Sequence, residues 1–290
     1  MTPGSREPGV FHKMNPVRRT LLKAVGLLAP HVAWAGDAPV TEMQKPAVKP
    51  RHVLCFLGKD ESLLQPPKDV VKTIADFGFE VDRTYSQGKP DPHMARSFGV
   101  CWDRVLPNAW SAADEAAVVN HKSVLYVLSP PMDQQKAVAC SAAALRIVEE
   151  MIKAGATAVK GESAGVAHGL ARWRRLAADC KAAAQTNQGL AVTAAMSRIC
   201  RLAFAKRPLA GERYNETVGL HLVGLPEIYI AKSFGNDHDA VRRMDELGDE
   251  MANSGIDATL RDRKLTVSHE SSYAEGDFKF NPYGIVRIDV

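Results

Sequence analysis

The sequence predicts an α+β fold: a split βαβ (ferredoxin-like) unit with a second α+β layer packed on it. Three observations carry this expectation. Short apolar runs alternate with longer amphipathic segments along the chain. The order strand, helix, strand occurs twice before residue 162, and Gly or Pro punctuates most changes of period.

Taken in order, residues 53–57 form a short apolar strand, and Pro66-Pro67 opens a helix with Val70, Val71, Ile74 and Phe77 on one face, stopped by Gly78. Strands are expected over residues 79–85 and 98–102. Residues 124–128 read as a buried strand closed by Pro130-Pro131. The next helix bears Leu145, Val148, Met151 and Ile152 on one face and Gly155 as its cap, and residues 156–160 give another strand. The second half opens with a helix after Gly165 carrying Val166, Leu170, Trp173, Leu176 and Cys180 at helical spacing. An apolar helix over residues 190–204 follows, ended by Pro208. Strand-like runs near 220–223 and 227–231 precede an amphipathic helix with Val241, Met244, Leu247 and Met251. Two short strands flank residues 261–264, and 285–290 closes the chain.

The N-terminus carries an address. Asn15-Pro16-Val17-Arg18-Arg19-Thr20-Leu21-Leu22-Lys23 sets two arginines before two leucines and a lysine. The weakly apolar stretch after it, residues 24–34, is too short to span a bilayer, which takes roughly 20 residues. Ala33-Trp34-Ala35 before Gly36 is a small-x-small cleavage pattern. The segment resembles the twin-arginine signal of exported bacterial proteins, with Met14 a plausible start. The resemblance implies recognition by the twin-arginine translocase during export and a periplasmic location. The expected organisation is a signal peptide over 1–35, a linker over 36–51 containing Pro39, Pro46 and Pro50, and one α+β domain over 52–290, with halves 52–162 and 163–290.

Charge follows the address. Five of the 37 Lys and Arg residues and one of the 33 acids lie in residues 1–35, so the remainder carries 32 of each sign. The net +4 belongs to the signal, and nothing is left as an electrostatic footprint for nucleic acid or an anionic membrane. No later segment reaches transmembrane length without charges, so a soluble mature protein without a membrane anchor is expected. Cys55, Cys101, Cys140, Cys180 and Cys200 are odd in number and contain no C-x-x-C pair. Twin-arginine export, by the resemblance, carries folded proteins from a reducing compartment, which favours mostly buried free thiols and leaves one or two periplasmic disulfides open.

One motif carries chemical content. Gly161-Glu162-Ser163-Ala164-Gly165 is a G-x-S-x-G between an expected strand and an expected helix. That is the context of a nucleophile elbow, and G-E-S-A-G resembles the elbow of carboxylesterases of the α/β-hydrolase family. The resemblance implies Ser163 as nucleophile, His269 or His238 as base, and Asp237 or Asp239 as orienter. No upstream His-Gly-Gly oxyanion element accompanies it. The other reading makes Ser163 a helix cap and the glycines packing devices. A third lets amides at this helix start bind an anionic group, with Gly161, Glu162, Gly165 and His168 around it. Asn236-Asp237-His238-Asp239 reads as capping of the following helix rather than as metal ligands. His221, alternating with leucines, is expected on the polar face of a strand. The 162–168 segment and Gly224-Leu225-Pro226-Glu227 resemble bacterial domains of unknown function, a likeness that implies no activity.

Two functions therefore stand beside each other. One is a non-catalytic envelope module that binds a small ligand or partner protein; the other is a serine hydrolase built on Ser163. No flavin, nicotinamide, haem or cluster signature accompanies either, and no cofactor or metal is expected.

Overall fold

The computed structural model describes residues 49–101, 110–186, 189–269 and 280–289. The expected signal segment, residues 1–35, and most of the expected linker lie outside the described residues.

The run Val53–Gly58 (β1) is apolar at consecutive positions because both of its faces are covered. Leu54 and Phe56 join the main core, while Cys55 and Leu57 face a smaller cluster with Met94 and Phe98. Around β1 the chain builds the expected split βαβ. Helix α1 (Lys68–Asp76) leads to β2 (Glu80–Gln87), and β3 (Ser123–Leu128) returns between β1 and β2. Helix α4 (Ala137–Lys153) then leads to β4 (Ala156–Gly161) on the free side of β1. The sheet order is β2-β3-β1-β4-β5, antiparallel throughout, with β5 (Val166–His168) added as a hairpin at the β4 edge. The fold is α+β.

Two further helices, α2 (Met94–Cys101) and α3 (Ala112–Val119), precede β3. The strand expected over 98–102 is in its described part the end of α2. Met94, Phe98 and Cys101 recur at helical spacing and are the buried residues of that segment, so the face set by the 3.6 period wins over the short apolar run. Ser111 and Asp114 cap α3 reciprocally.

The second layer begins with α5 (Leu170–Thr186) and α6 (Leu190–Phe204), the latter with the expected bounds. A second sheet follows in the order β6-β7-β8-β10-β9, formed by Lys206–Ala210, Tyr214–Val218, Glu227–Ala231, Ile285–Ile288 and Val267–Ser268. Here β10 runs parallel to β8 and the other pairs are antiparallel. Helix α7 (Asp237–Ser254) supplies the expected face of Val241, Met244, Leu247 and Met251. Two expectations are corrected here. Residues 220–223 form a 3-10 turn, not a strand, because Gly219 (φ 109°) and Gly224 (φ 78°) reverse the chain on either side in the left-handed region. Upstream of residue 261 lies a helix, α8 (Ile256–Arg263), ended by Lys264 at φ 55°.

One hydrophobic core joins the layers. Phe56 and Val159 of the first sheet, Val148, Trp173 and Leu247 of the helices, and Ile230 of the second sheet belong to a single buried cluster. The halves 52–162 and 163–290 thus share their interior. No helix among the described residues is long and apolar enough to cross a membrane.

Candidate functional site

The G-E-S-A-G motif occupies the turn joining β4 to β5. Helix α5 starts only at Leu170, so the chain leaves β4 into a hairpin, with Lys160 opposite Ala167 and Gly161 opposite Val166. Both the elbow reading and the helix-cap reading of Ser163 assumed a helix directly after Gly165. Gly165 instead turns the chain at φ 63°, and three residues of strand come first. His168, expected on a helix, closes that strand.

Ser163 is used on both sides of its oxygen. Its hydroxyl donates to the Arg51 carbonyl at 2.8 Å and accepts from the Val53 amide at 2.9 Å. The Glu162 amide donates to the Val53 carbonyl at 2.8 Å. Residues 162–163 therefore extend the β4–β1 ladder past its end and fix where the chain enters β1. No imidazole among the described residues hydrogen-bonds to this hydroxyl. His238 and Asp237 are exposed in the first turn of α7, where the Asn236 side chain accepts from the Asp239 amide at 3.0 Å, the expected capping. Asp239 pairs with Arg242 at 2.9 Å. His269 is exposed just beyond β9, at the edge of the second sheet. The structure thus leaves Ser163 in the first sheet and sets its candidate partners on other elements.

The residues expected to surround a ligand at this turn are committed to packing. Gly161 is buried, and a Cβ there would stand 3.5 Å from the Phe204 ring. His168 donates from Nε2 to the Ala203 carbonyl at 3.0 Å and stands edge-on to Trp173 at 4.7 Å. The Glu162 carboxylate faces Lys160 at 2.7 Å.

Lys160 is a centre that the sequence reading did not single out. The period of β4 puts it on the Cys55 face, beneath α2, with a fully buried side chain. Its ammonium donates to Glu162 and to the Ser97 hydroxyl and stands 5.0 Å over the Phe98 ring. Burial works against its charge, but the Glu162 carboxylate foremost, with Cys55 and Cys101 adding, holds its pKa above the ordinary lysine value. Neighbouring nucleophiles are silenced by the same enclosure. Burial, only partly offset by Lys160, pushes the Cys55 thiol up to about 12, and burial with the charges of Cys55 and Glu162 raises the Tyr126 hydroxyl far above its ordinary value. The centre is a paired polar core without a free amine or thiolate at neutral pH.

A second buried network lies where α4 meets the 220–223 turn. The Ser141 hydroxyl donates to the Leu222 carbonyl at 2.5 Å, so the His52 Nε2 at 2.7 Å must donate to Ser141, which sets the tautomer. Burial, with His221 adding, depresses the His52 pKa to about 3. Because the folded value lies below the unfolded 6.5, the stability of the neutral ring is complete above pH 6.5 and declines as the pH falls towards 3. The integrated loss approaches about 4–5 kcal/mol. Urea melts of wild type and His52→Gln, whose amide keeps the donor, are expected to diverge across this window, with the variant showing the shallower acid slope.

Nearby, Glu227 is 1% exposed and closes the loop that the sequence marks with Gly219, Gly224 and Pro226. It accepts from the Thr217 hydroxyl at 2.6 Å, the Gly219 and Leu220 amides at 2.9 and 3.0 Å, and Asn281 at 3.0 Å, with His221 Nδ1 at 3.4 Å. Burial opposes its charge, but the His221 hydrogen bond and charge, followed by Thr217 and Asn281, hold its pKa below the usual glutamate value. His221 is thus buried against Glu227 rather than placed on a strand face.

Ligand access exists elsewhere. An open groove of about 280 Å³ lies at the end of the β7–β8 pair, lined by Arg213, Tyr214, Ala231, Lys232, Ser233 and Asp289. Tyr214 donates to Asp289 at 2.8 Å, and the Arg213 guanidinium sits 5.6 Å over the Tyr214 ring. Arg213 and Lys232 are exposed, and with Asp289 they leave one excess positive charge among the lining residues. No three His, Cys, Asp or Glu side chains gather as a metal site among the described residues. Comparison of the chain with protein-family models, with curated proteins and with solved structures returned no match in any of the three.

Proposed function

We propose that this chain is an exported module of the bacterial envelope that binds a small anionic ligand and performs no covalent chemistry. The observation that carries the non-catalytic part is the double engagement of the Ser163 oxygen by the Arg51 carbonyl and the Val53 amide. A nucleophilic serine needs its proton directed at a base, and here it is directed at a carbonyl. Export is supported by the twin arginines at 18 and 19 and by the Ala33-Trp34-Ala35 pattern. The anionic preference is supported by Arg213 and Lys232, whose exposed cations flank the groove while Asp289 is held by Tyr214. Arg213, stacked on an aromatic ring, presents a guanidinium that is pre-organised for a carboxylate or phosphate.

The test is a heteronuclear NMR titration of mature protein with inorganic phosphate and with citrate. Saturable shifts are expected at residues 213–214, 231–233 and 289, with an Arg213→Ala/Lys232→Ala variant losing them. Absence of shifts there in the wild type would remove the anionic groove from the account.

A further inference from the structure

We propose that the buried junction of α6 and α7 is a binding site for a small inorganic anion of chloride size, gripped by Ser197 and Arg201. These two residues stand one turn apart on the same face of α6 and are 2% and 3% exposed. Arg201 Nη2 donates to the Asp249 carboxylate of α7, but Arg201 Nε and Nη1 and the Ser197 hydroxyl have no hydrogen-bond partner among the described residues. Buried polar groups are seldom left so, and here three of them share one turn of helix. Gly248 of α7 makes the room. A Cβ there would collide with Arg201 Nη1 and stand 2.9 Å from Cζ, so the guanidinium takes the place of a side chain at that turn.

Donor count and charge both select an anion. The three unpartnered atoms are two N–H groups and a hydroxyl, with no carboxylate or amide oxygen among them. A water molecule would accept from two of them and then need acceptors for its own protons, whereas a halide accepts from every side and donates nothing. The surrounding ion pairs leave a positive surplus. Arg201 and the exposed Arg198 share Asp249, the latter at 3.7 Å, and Arg207 holds Asp245 at 2.6 Å, so three cations face two carboxylates. Burial, only partly offset by Asp249, depresses the Arg201 pKa, and a bound anion supplies the missing compensation. Entry is from the side of Asp249, whose side chain is 30% exposed. The Arg213–Lys232 groove is a different place, lined by no residue of α6 or α7.

The purified protein is melted in a series from sodium gluconate to sodium chloride at fixed ionic strength, and its crystals are soaked in sodium bromide. The expected results are a melting temperature that rises saturably with chloride, and an anomalous bromide peak within hydrogen-bond distance of Ser197 Oγ and of Arg201 Nε or Nη1. Ser197→Ala keeps the helix and should raise the chloride midpoint about tenfold, the effect of one hydrogen bond to a charged group. Arg213→Ala/Lys232→Ala, which disables the groove, should leave that midpoint where it is. A melting temperature indifferent to chloride, a midpoint unmoved by Ser197→Ala, or density at the site without a bromide signal, which would be water, each overturns the proposal. A midpoint that moves only in the groove variant would overturn this site and leave the proposed function standing.

Discussion

Replacing Lys160 by Met is expected to cost about 3–5 kcal/mol of unfolding free energy, more than any exposed charge in the molecule, because it breaks a buried pair and leaves its partner. Lys160 has no solvent-exposed side-chain surface, and Glu162 keeps only 12%. Exposed pairs such as Lys72–Asp76, with more than half of each side chain in water, should give no more than about 1 kcal/mol. Met fills much of the aliphatic volume, so the loss reports the charge, the Ser97 and Glu162 bonds and the Phe98 contact rather than a cavity. Combining Lys160→Met with Glu162→Gln should cost clearly less than the sum of the two single changes, since each single change leaves its partner charge buried. Urea unfolding of the four proteins measures this, and additive values would show that the two groups are not coupled. Because the folded pKa of Lys160 is raised, its contribution holds below about pH 10.5 and is lost only as the medium becomes alkaline beyond that value.

Glu227→Ala should be comparably severe, at about 3–5 kcal/mol, with a distinct signature. The carboxylate gathers donors from β7, the 219–221 turn and Asn281, so its removal leaves the Gly219 and Leu220 amides and the Thr217 hydroxyl without their acceptor inside the protein, while Asn281 keeps only the Leu225 carbonyl. Glu227→Gln keeps the oxygen that faces the amides but turns a donor towards Thr217, whose oxygen already accepts from the Ile228 amide. A loss of about 2–3 kcal/mol is expected for it, as for hydrogen bonds made to a charged group. Hydrogen exchange at residues 219 and 220 should accelerate in both variants and more in Ala. Unchanged protection there would mean that the loop is held by its glycine turns alone. The Glu227 pKa is lowered in the fold, so its contribution is present above the usual glutamate value and disappears as the pH falls through the depressed one. This acid loss adds to that of His52.

The parts of this fold that were legible in the sequence are those with one unambiguous period over enough residues. The helix over 190–204 and the face of Val241, Met244, Leu247 and Met251 are examples, and the alternation of strands and helices was enough for the split βαβ. Short apolar runs were not legible. Phe98-Gly99-Val100-Cys101 fits strand and helix alike until α2 is seen to bury Phe98 and Cys101 against β1. Val166-Ala167-His168 is too short to announce a strand, and its pairing with β4 decides it. At the candidate site the position of the motif was legible, as a small-residue turn after β4, but its role was not. The partners of Ser163 lie 110 and 112 residues upstream, at the start of β1 and just before it, and they are backbone groups, which no residue type announces. Lys160 was overlooked because a charge at the end of an apolar strand ordinarily marks the strand edge, and only α2 folding over it makes it a core residue.

The most direct test of the central claim, that Ser163 is a structural pin and not a nucleophile, is labelling of the folded protein with a fluorophosphonate probe, wild type beside Ser163→Ala. No labelling of either protein is expected at neutral pH, together with a stability loss of about 1–3 kcal/mol in the variant from the unmatched Arg51 carbonyl and Val53 amide. Labelling of the wild type that vanishes in Ser163→Ala would contradict it and return the protein to the serine hydrolases.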